Sequence, residues 1–259
     1  MDYQLRGKTA YVSAGAHGIG EAIADLLAGE GAAVLVSDHD GDVLREKAHK
    51  WKGTVTANLA TAEGVDHATH FVLTTFAGPP DIVINNLGVG DSTPFEDITD
   101  EHWARSIDVN LMGTVRTCRA LLPLMAARGT GAVVNTGSDL AKQPEPGFVD
   151  YGACKAALLY VTKALAKQYA PAVRVNSVLP GPIWSRMWTR PGGIVDQLVA
   201  HYGTDRDTAV QRFLHDRQMP MGIGQPADVA HAVVFLASPL ARFITGAALD
   251  IGGTIRGLI

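Results

Sequence analysis

The chain has 259 residues, 47% of them hydrophobic and 19% charged, enough to bury the core of one large α/β domain or two small ones and too apolar for a disordered segment. A net charge of −4 with no run of five basic residues excludes the electrostatic footprint of a nucleic-acid binder. Two cysteines, Cys118 and Cys154, exclude a disulfide framework, and no apolar run approaches the ~18–20 residues of a membrane span.

In chain order, short apolar runs alternate with longer amphipathic ones. Strands are predicted at Thr9–Ser13, Ala33–Ser37, Thr54–Ala57, Ile82–Asn85, Ala132–Thr136, Arg174–Leu179 and Ala247–Asp250. Several are apolar on both faces, as strands of a helix-covered parallel sheet are. Helices are predicted at Gly20–Ala28, Asp42–Trp51, Ala62–Phe76, Glu101–Arg128, Tyr151–Tyr169 and Pro226–Ala237. This alternation implies βαβ units in a doubly wound α/β sheet, with no linker or repeat to divide residues 1–259 into domains. The span Trp184–Gly224 breaks the rhythm and reads as a substrate loop or a small helical excursion. The opening MDYQLRGKTAYV lacks the pattern of a signal peptide, so a cytoplasmic protein with no membrane partner is expected.

After the first strand comes Ser13-Ala14-Gly15-Ala16-His17-Gly18-Ile19-Gly20, then Glu21 in an amphipathic helix. Glycines at such a turn let backbone approach a pyrophosphate, and the helix N-terminus offers that anion free N–H groups and a positive dipole end. Ser13, Gly15, His17, Gly18 and Ile19 are therefore candidates for dinucleotide contact. Asp38 closes the second strand, where a carboxylate accepts hydrogen bonds from adenosine ribose hydroxyls and repels a 2′-phosphate. NAD is accordingly favoured over NADP, although Asp38 also suits a helix cap and His17 and His39 stand nearby.

Tyr151 and Lys155 lie four apart on a helix and so share a face, where an ammonium near the phenol lowers its pKa and equips it for acid/base work. Thirteen residues upstream, Ser138 follows the strand Val133-Val134-Asn135-Thr136. Parallel sheets bind ligands beyond the carboxyl ends of their strands, and a hydroxyl there suits a substrate oxygen gaining negative charge.

Taken together, these elements resemble the short-chain dehydrogenase/reductase family, in its single-domain branch, over essentially the whole chain. Its T-G-x-x-x-G-x-G turn matches Ser13 to Gly20, its N-N-A-G element matches Asn85-Asn86-Leu87-Gly88, and its helix asparagine matches Asn110. Its serine matches Ser138, its Y-x-x-x-K matches Tyr151 and Lys155, and its P-G turn matches Pro180-Gly181.

The resemblance implies a Rossmann-type, three-layer α/β/α single domain. It makes Tyr151 the acid/base, with Lys155 tuning it and bonding the nicotinamide ribose. Ser138 orients the substrate oxygen, and Asn110 holds a water that relays protons from Lys155. Asn86 and Gly88 lie along the adenosine side, Asn58 and Leu59 meet the adenine, and Pro180, Gly181 and Ile183 line the nicotinamide. It also implies a homo-tetramer, with Glu101–Arg128 and Tyr151–Tyr169 pairing between subunits.

The chain departs from the family pattern in several places. Ala14 replaces the first motif glycine, which is tolerable if its φ is negative. Leu87 replaces a small alanine and is expected to crowd the cofactor wall. Asn58 stands where an aspartate is usual and keeps an acceptor for the adenine amino group. Asp250-Ile251-Gly252-Gly253 carries the acid of the family's V-D-G-G shifted by one.

Trp184, Met187, Trp188, Tyr202, Phe213, Met219 and Met221 suit an apolar pocket over the nicotinamide or simple packing. Phe148, with Asp139 and Gln143 adding polarity, is the better pocket candidate. The expected substrate is thus a medium-sized, mostly apolar secondary alcohol or ketone. His201 and His215 show no metal-ligand spacing, and no metal is expected. Cys154 is expected to face the core. Rival readings are a non-catalytic dinucleotide-sensing protein, a lyase or epimerase using NAD transiently, and an NADPH-dependent 3-oxoacyl carrier-protein-type reductase.

Overall fold

The predicted apolar runs become parallel strands in a computed structural model that describes residues 2–253. They are β1 (Thr9–Ser13), β2 (Ala33–Asp38), β3 (Gly53–Thr56), β4 (Ile82–Asn85), β5 (Gly131–Thr136), β6 (Val173–Pro180) and β7 (Ala248–Ile251). All seven join one sheet in the order β3-β2-β1-β4-β5-β6-β7. Side chains alternate between its faces, as the strand period of two requires. Ala10 and Val12 of β1 pack against α1 (Gly18–Gly29), α2 (Gly41–Lys47) and α10 (Pro226–Ala237). Tyr11, between them, packs with α3 (Ala62–Thr75), α5 (Gly113–Arg128) and α6 (Val149–Tyr169) on the other face. The fold is therefore the expected three-layer, doubly wound α/β architecture of Rossmann type.

Strand order reverses at β1, which pairs with β2 on one side and β4 on the other. A crevice opens at such a switch point beyond the strands' carboxyl ends. Ser13 and Asn85, the last residues of β1 and β4, are register partners there.

Three predicted elements differ. The expected helix Asp42–Trp51 ends as α2 at Lys47 and tightens into a 3-10 turn over Ala48–Lys50. The expected single helix Glu101–Arg128 runs as α4 (Asp100–Ile107), a π-helical stretch over Asp108–Met112, and α5. The span Trp184–Gly224 holds α7 (Arg186–Thr189), α8 (Ile194–Tyr202) and α9 (Arg206–Asp216). Gly203 ends α8 in the left-handed region, and the Asp205 side chain caps α9 by accepting from Asp207 N and Thr208 N. These helices share a small apolar cluster of Trp188, Val195, Val210, Phe213 and Met219. The excursion is pinned at its base, where Ile183 bridges Gly224.

Candidate active site

The glycine turn is stitched across the switch point. Ser13 Oγ accepts from Asn86 N at 3.0 Å, and Asn86 Nδ2 donates to Ala14 O at 3.1 Å. Gly20 admits no side chain, since a Cβ would lie 2.2 Å from Ala14 O. Ala14 itself sits at φ +50°, not at the negative φ the sequence reading requires. The tight turn imposes a left-handed conformation whether or not the residue there suits it.

A cleft of about 880 Å³ runs from this turn along the strand ends. His17, Gly18 and Ile19 line it. Ser13, 2% exposed, and Gly15, packed so that a Cβ would meet Val36 Cγ1 at 2.6 Å, instead build the turn from behind. Asn58, Leu59, Asn86, Pro180, Gly181 and Ile183 also line the cleft. Asn58 Oδ1 already accepts from Ala60 N at 3.2 Å. Gly88, expected along the adenosine side, lies at the other end, where a Cβ would be 3.2 Å from Lys155 Nζ. The turn after β4 passes over α6 and carries it there.

Asp38 lies at the cleft edge but is 5% exposed, its carboxylate turned to backbone. Oδ2 accepts from Ala16 N at 3.0 Å and Oδ1 from Asp40 N at 3.1 Å, with His39 Nδ1 3.0 Å away. Beside it, His17 Nε2 lies 3.0 Å from Asp40 Oδ2, and Arg186 Nη1 lies 2.7 Å from the same ring nitrogen. The His17 contact, ahead of the Val43 N–H, holds the Asp40 carboxyl below the usual carboxylate range. Arg186 lies far along the chain in α7, and no local sequence signal reveals its approach.

At the other end, α6 presents Tyr151 and Lys155 to the cleft. Lys155 Nζ donates to Thr136 O at 3.0 Å and Leu87 O at 3.2 Å, and stands 5.6 Å from the centre of the Tyr151 ring. Burial pulls the Lys155 ammonium down to about 8. Burial also pushes the Tyr151 phenol up to about 12, against the Ser138 hydroxyl, which lowers it, and with Asp139, which raises it. The expected lowering of the phenol by its neighbouring cation is thus reversed: desolvation disfavours both charged forms, and the ammonium spends its bonds on carbonyls.

Ser138 Oγ donates to Asp139 Oδ1 at 3.1 Å and accepts from Leu140 N at 3.2 Å. Phe148 meets Tyr151 edge to face at 6.4 Å between ring centres.

Asn110 lies behind the lining, fully buried in the π-helical stretch. It accepts from Val89 N and donates to Val89 O, both at 2.9 Å. Leu87, expected to crowd the cofactor wall, is part of the cleft lining. Its side chain packs over Gly113, where a Cβ would come within 2.6 Å of it. The shifted acid also finds a place, since Asp250 Oδ2 pairs at 3.2 Å with Lys142 on the segment that follows Ser138. Cys154 is buried, as expected.

Trp188, Met187 and Phe213 line the cleft. Trp184 and Tyr202 pack within the excursion, and Met221 is exposed. Sequence reasoning missed the charged lining, Arg190 paired with Asp91, and Arg217. Among the described residues, no group of three or more His, Cys, Asp or Glu side chains is placed to hold a metal.

The site's shape fits an extended dinucleotide. The turn leaves backbone bare beside Gly18, and Lys155 has three N–H donors of which two are engaged.

A family model described as enoyl-(acyl carrier protein) reductase matches residues 13–253. The chain belongs to the short-chain dehydrogenase/reductase family and is an oxidoreductase of that family. It is 34% identical, over the full length of both chains, to the uncharacterized oxidoreductase YvrD of Bacillus subtilis. In structure it is similar to L-sorbose reductase from Gluconobacter frateurii, solved with NADPH and L-sorbose, at TM-score 0.92 and 31% identity over all of both chains. It is also similar to a Brucella melitensis 3-ketoacyl-(acyl-carrier-protein) reductase complexed with NADH, at TM-score 0.81 and 31% identity over 96% of this chain and 98% of that one.

Proposed function

We propose that residues 1–259 act as one NAD-dependent catalytic domain that interconverts a secondary alcohol and its ketone. The observation that carries this reading is a shared cleft, lined at one end by His17, Gly18 and Ile19 and at the other by Ser138, Tyr151 and Lys155. When bound, the dinucleotide supplies or accepts the hydride. Ser138 holds the reacting oxygen. Tyr151 gives its phenolic proton to that oxygen in reduction and takes it back in oxidation. The third N–H of Lys155 holds the nicotinamide ribose, and a water at the backbone of Asn110, whose side chain is spent on Val89 and Ser106, refills the proton.

NAD is favoured because two carboxylates, Asp38 and Asp40, stand at the adenosine end and repel a 2′-phosphate. A second reading, NADPH with a carrier-bound 3-oxoacyl substrate, draws on Arg186 beside Asp40 and on the NADPH named with the sorbose reductase. A purely dinucleotide-sensing role leaves Ser138 and Tyr151 without a purpose. No helix among the described residues is long and apolar enough to cross a membrane. Exposed Leu124 on α5 and Tyr160 on α6 suit the pairing of a homo-tetramer.

The test is NADH oxidation against a panel of ketones by the wild type and Tyr151→Phe. Ketone-dependent oxidation that falls at least about 100-fold in the variant, with NADH binding retained, supports the reading. Equal rates overturn it.

A further inference from the structure

We propose that Asp139 recognises a second hydroxyl, on the carbon next to the one oxidised or reduced, so that the substrates are vicinal diols and α-hydroxyketones of the polyol kind. The inference deepens the alcohol/ketone reading and rests on it.

Asp139 follows Ser138 and lines the cleft with Tyr151 and Phe148. Its Oδ1 is taken, accepting from Ser138 Oγ at 3.1 Å and Leu140 N at 2.9 Å. Among the described residues, Oδ2 takes no hydrogen bond. That oxygen is not sealed in but open to the cleft, where a substrate hydroxyl can replace water as its donor.

The carboxylate does not serve the proton transfer. Its charge raises the Tyr151 phenol, and burial raises Asp139 itself. What it contributes is an acceptor beside the reacting oxygen. Ser138 Oγ and the Asp139 carboxylate stand within hydrogen-bond length of each other, 3.1 Å at Oδ1, so a substrate segment of two adjacent carbons can meet both groups. With Ser138 on the reacting oxygen, a hydroxyl on the next carbon reaches the Asp139 carboxylate.

The surrounding wall favours a neutral, hydroxylated substrate. The Arg190–Asp91 pair and Arg217 line the same cleft, which is more polar than the sequence suggested. Arg217, paired with Glu145 at 2.6 Å, faces Asp139 and offsets part of the rise that burial gives its carboxyl, so a cationic group on the substrate would meet like charge. Trp188 and Phe213 add flat faces for the carbon skeleton.

The test compares hydroxyacetone with butanone, which differ by hydroxyl for methyl, as NADH-dependent substrates of the wild type, Asp139→Ala and Asp139→Asn. A hydrogen bond to a charged acceptor is worth about 10- to 100-fold in kcat/KM. The ratio of the two substrates is therefore expected to fall by that factor in Asp139→Ala. In Asp139→Asn, which keeps a neutral acceptor, it falls less. Because hydroxyacetone is intrinsically the more reactive carbonyl, the change in ratio between enzymes is decisive. An equal ratio in wild type and Asp139→Ala overturns the inference and leaves the alcohol/ketone reading standing. No turnover of either ketone by wild type, with NADH or NADPH, overturns both. NADH quenching of Trp fluorescence checks that each variant is folded, and if Asp139→Ala is not, an unchanged ratio in Asp139→Asn overturns the inference.

Discussion

The hydroxyl of Ser138 lies 3.1 Å from the carboxylate of Asp139, so the group expected to grip the reacting oxygen already leans on an acid. Binding substrate must redirect that proton from Asp139 to the substrate oxygen. The electrostatics of the pair extend to Tyr151, whose phenol Asp139 helps to hold high.

A pH dependence follows. With the phenol pushed up to about 12, Tyr151 stays protonated at ordinary pH. Reduction, which needs the proton, is expected to stay level up to about pH 8, where Lys155 loses the third N–H that holds the ribose. Oxidation, which needs the phenolate, is expected to climb about tenfold per pH unit over the same range. Asp139→Asn shifts that climb to lower pH. Steady-state profiles of kcat/KM in both directions check this, and coincident wild-type and variant profiles contradict it.

Lys155 should leave its mark on stability. Its folded pKa, about 8 against the ordinary 10.5, means that between those values the unfolded chain binds the additional proton. Stability from this group is then lost as pH falls through 8 and is fully present above 10.5. Relative to Lys155→Met, the wild type is expected to gain about 3 kcal/mol as pH rises across that window. Urea unfolding of both proteins at several pH values measures it, and parallel curves contradict it.

Ala14 holds a φ of +50° where an L-residue with a Cβ is strained by about 1–2 kcal/mol. Glycine removes that strain and returns part of it as unfolded-chain entropy. Ala14→Gly is expected to raise Tm by about 1 to 4 °C and not to weaken NADH binding. Calorimetry checks it, and a lower Tm contradicts it.

Strand positions were legible because a buried parallel strand is a short apolar run whose ends fall where polar or turn residues begin, as Ile82–Asn85 shows. Tyr151, Lys155 and Ser138 were legible because a helix face and a strand end fix their placement. The π-helical stretch at Asn110 was not, since nothing in Asp108–Met112 distinguishes it from α-helix until Val89 is in place to bond the side chain. Arg186, Arg190 and Arg217 were hidden for a related reason, as the span that carries them reads only as a substrate loop or a small helical excursion, with no register to place its side chains. Asp38 was found, but the direction of its carboxylate depends on the turn folding back to offer Ala16 N.

That direction changes what mutating Asp38 does. From sequence, removing the acid is expected to relax the choice between NAD and NADP. In the structure it also removes the acceptor that closes the glycine turn at Ala16 N and Asp40 N. Asp38→Ala is therefore expected to lose about 1 to 3 kcal/mol of stability and to weaken both dinucleotides. Unaltered thermal stability with a clean switch to NADPH contradicts this.

The account stands most directly on a titration of the wild-type protein with NADH and, separately, NADPH, followed by quenching of Trp fluorescence and energy transfer to the reduced nicotinamide. Trp188 lines the cleft and serves as the reporter. Saturable binding of both, tighter for NADH, is the predicted result. Tighter binding of NADPH contradicts the role given to Asp38 and Asp40, and binding of neither contradicts the assignment of the cleft itself.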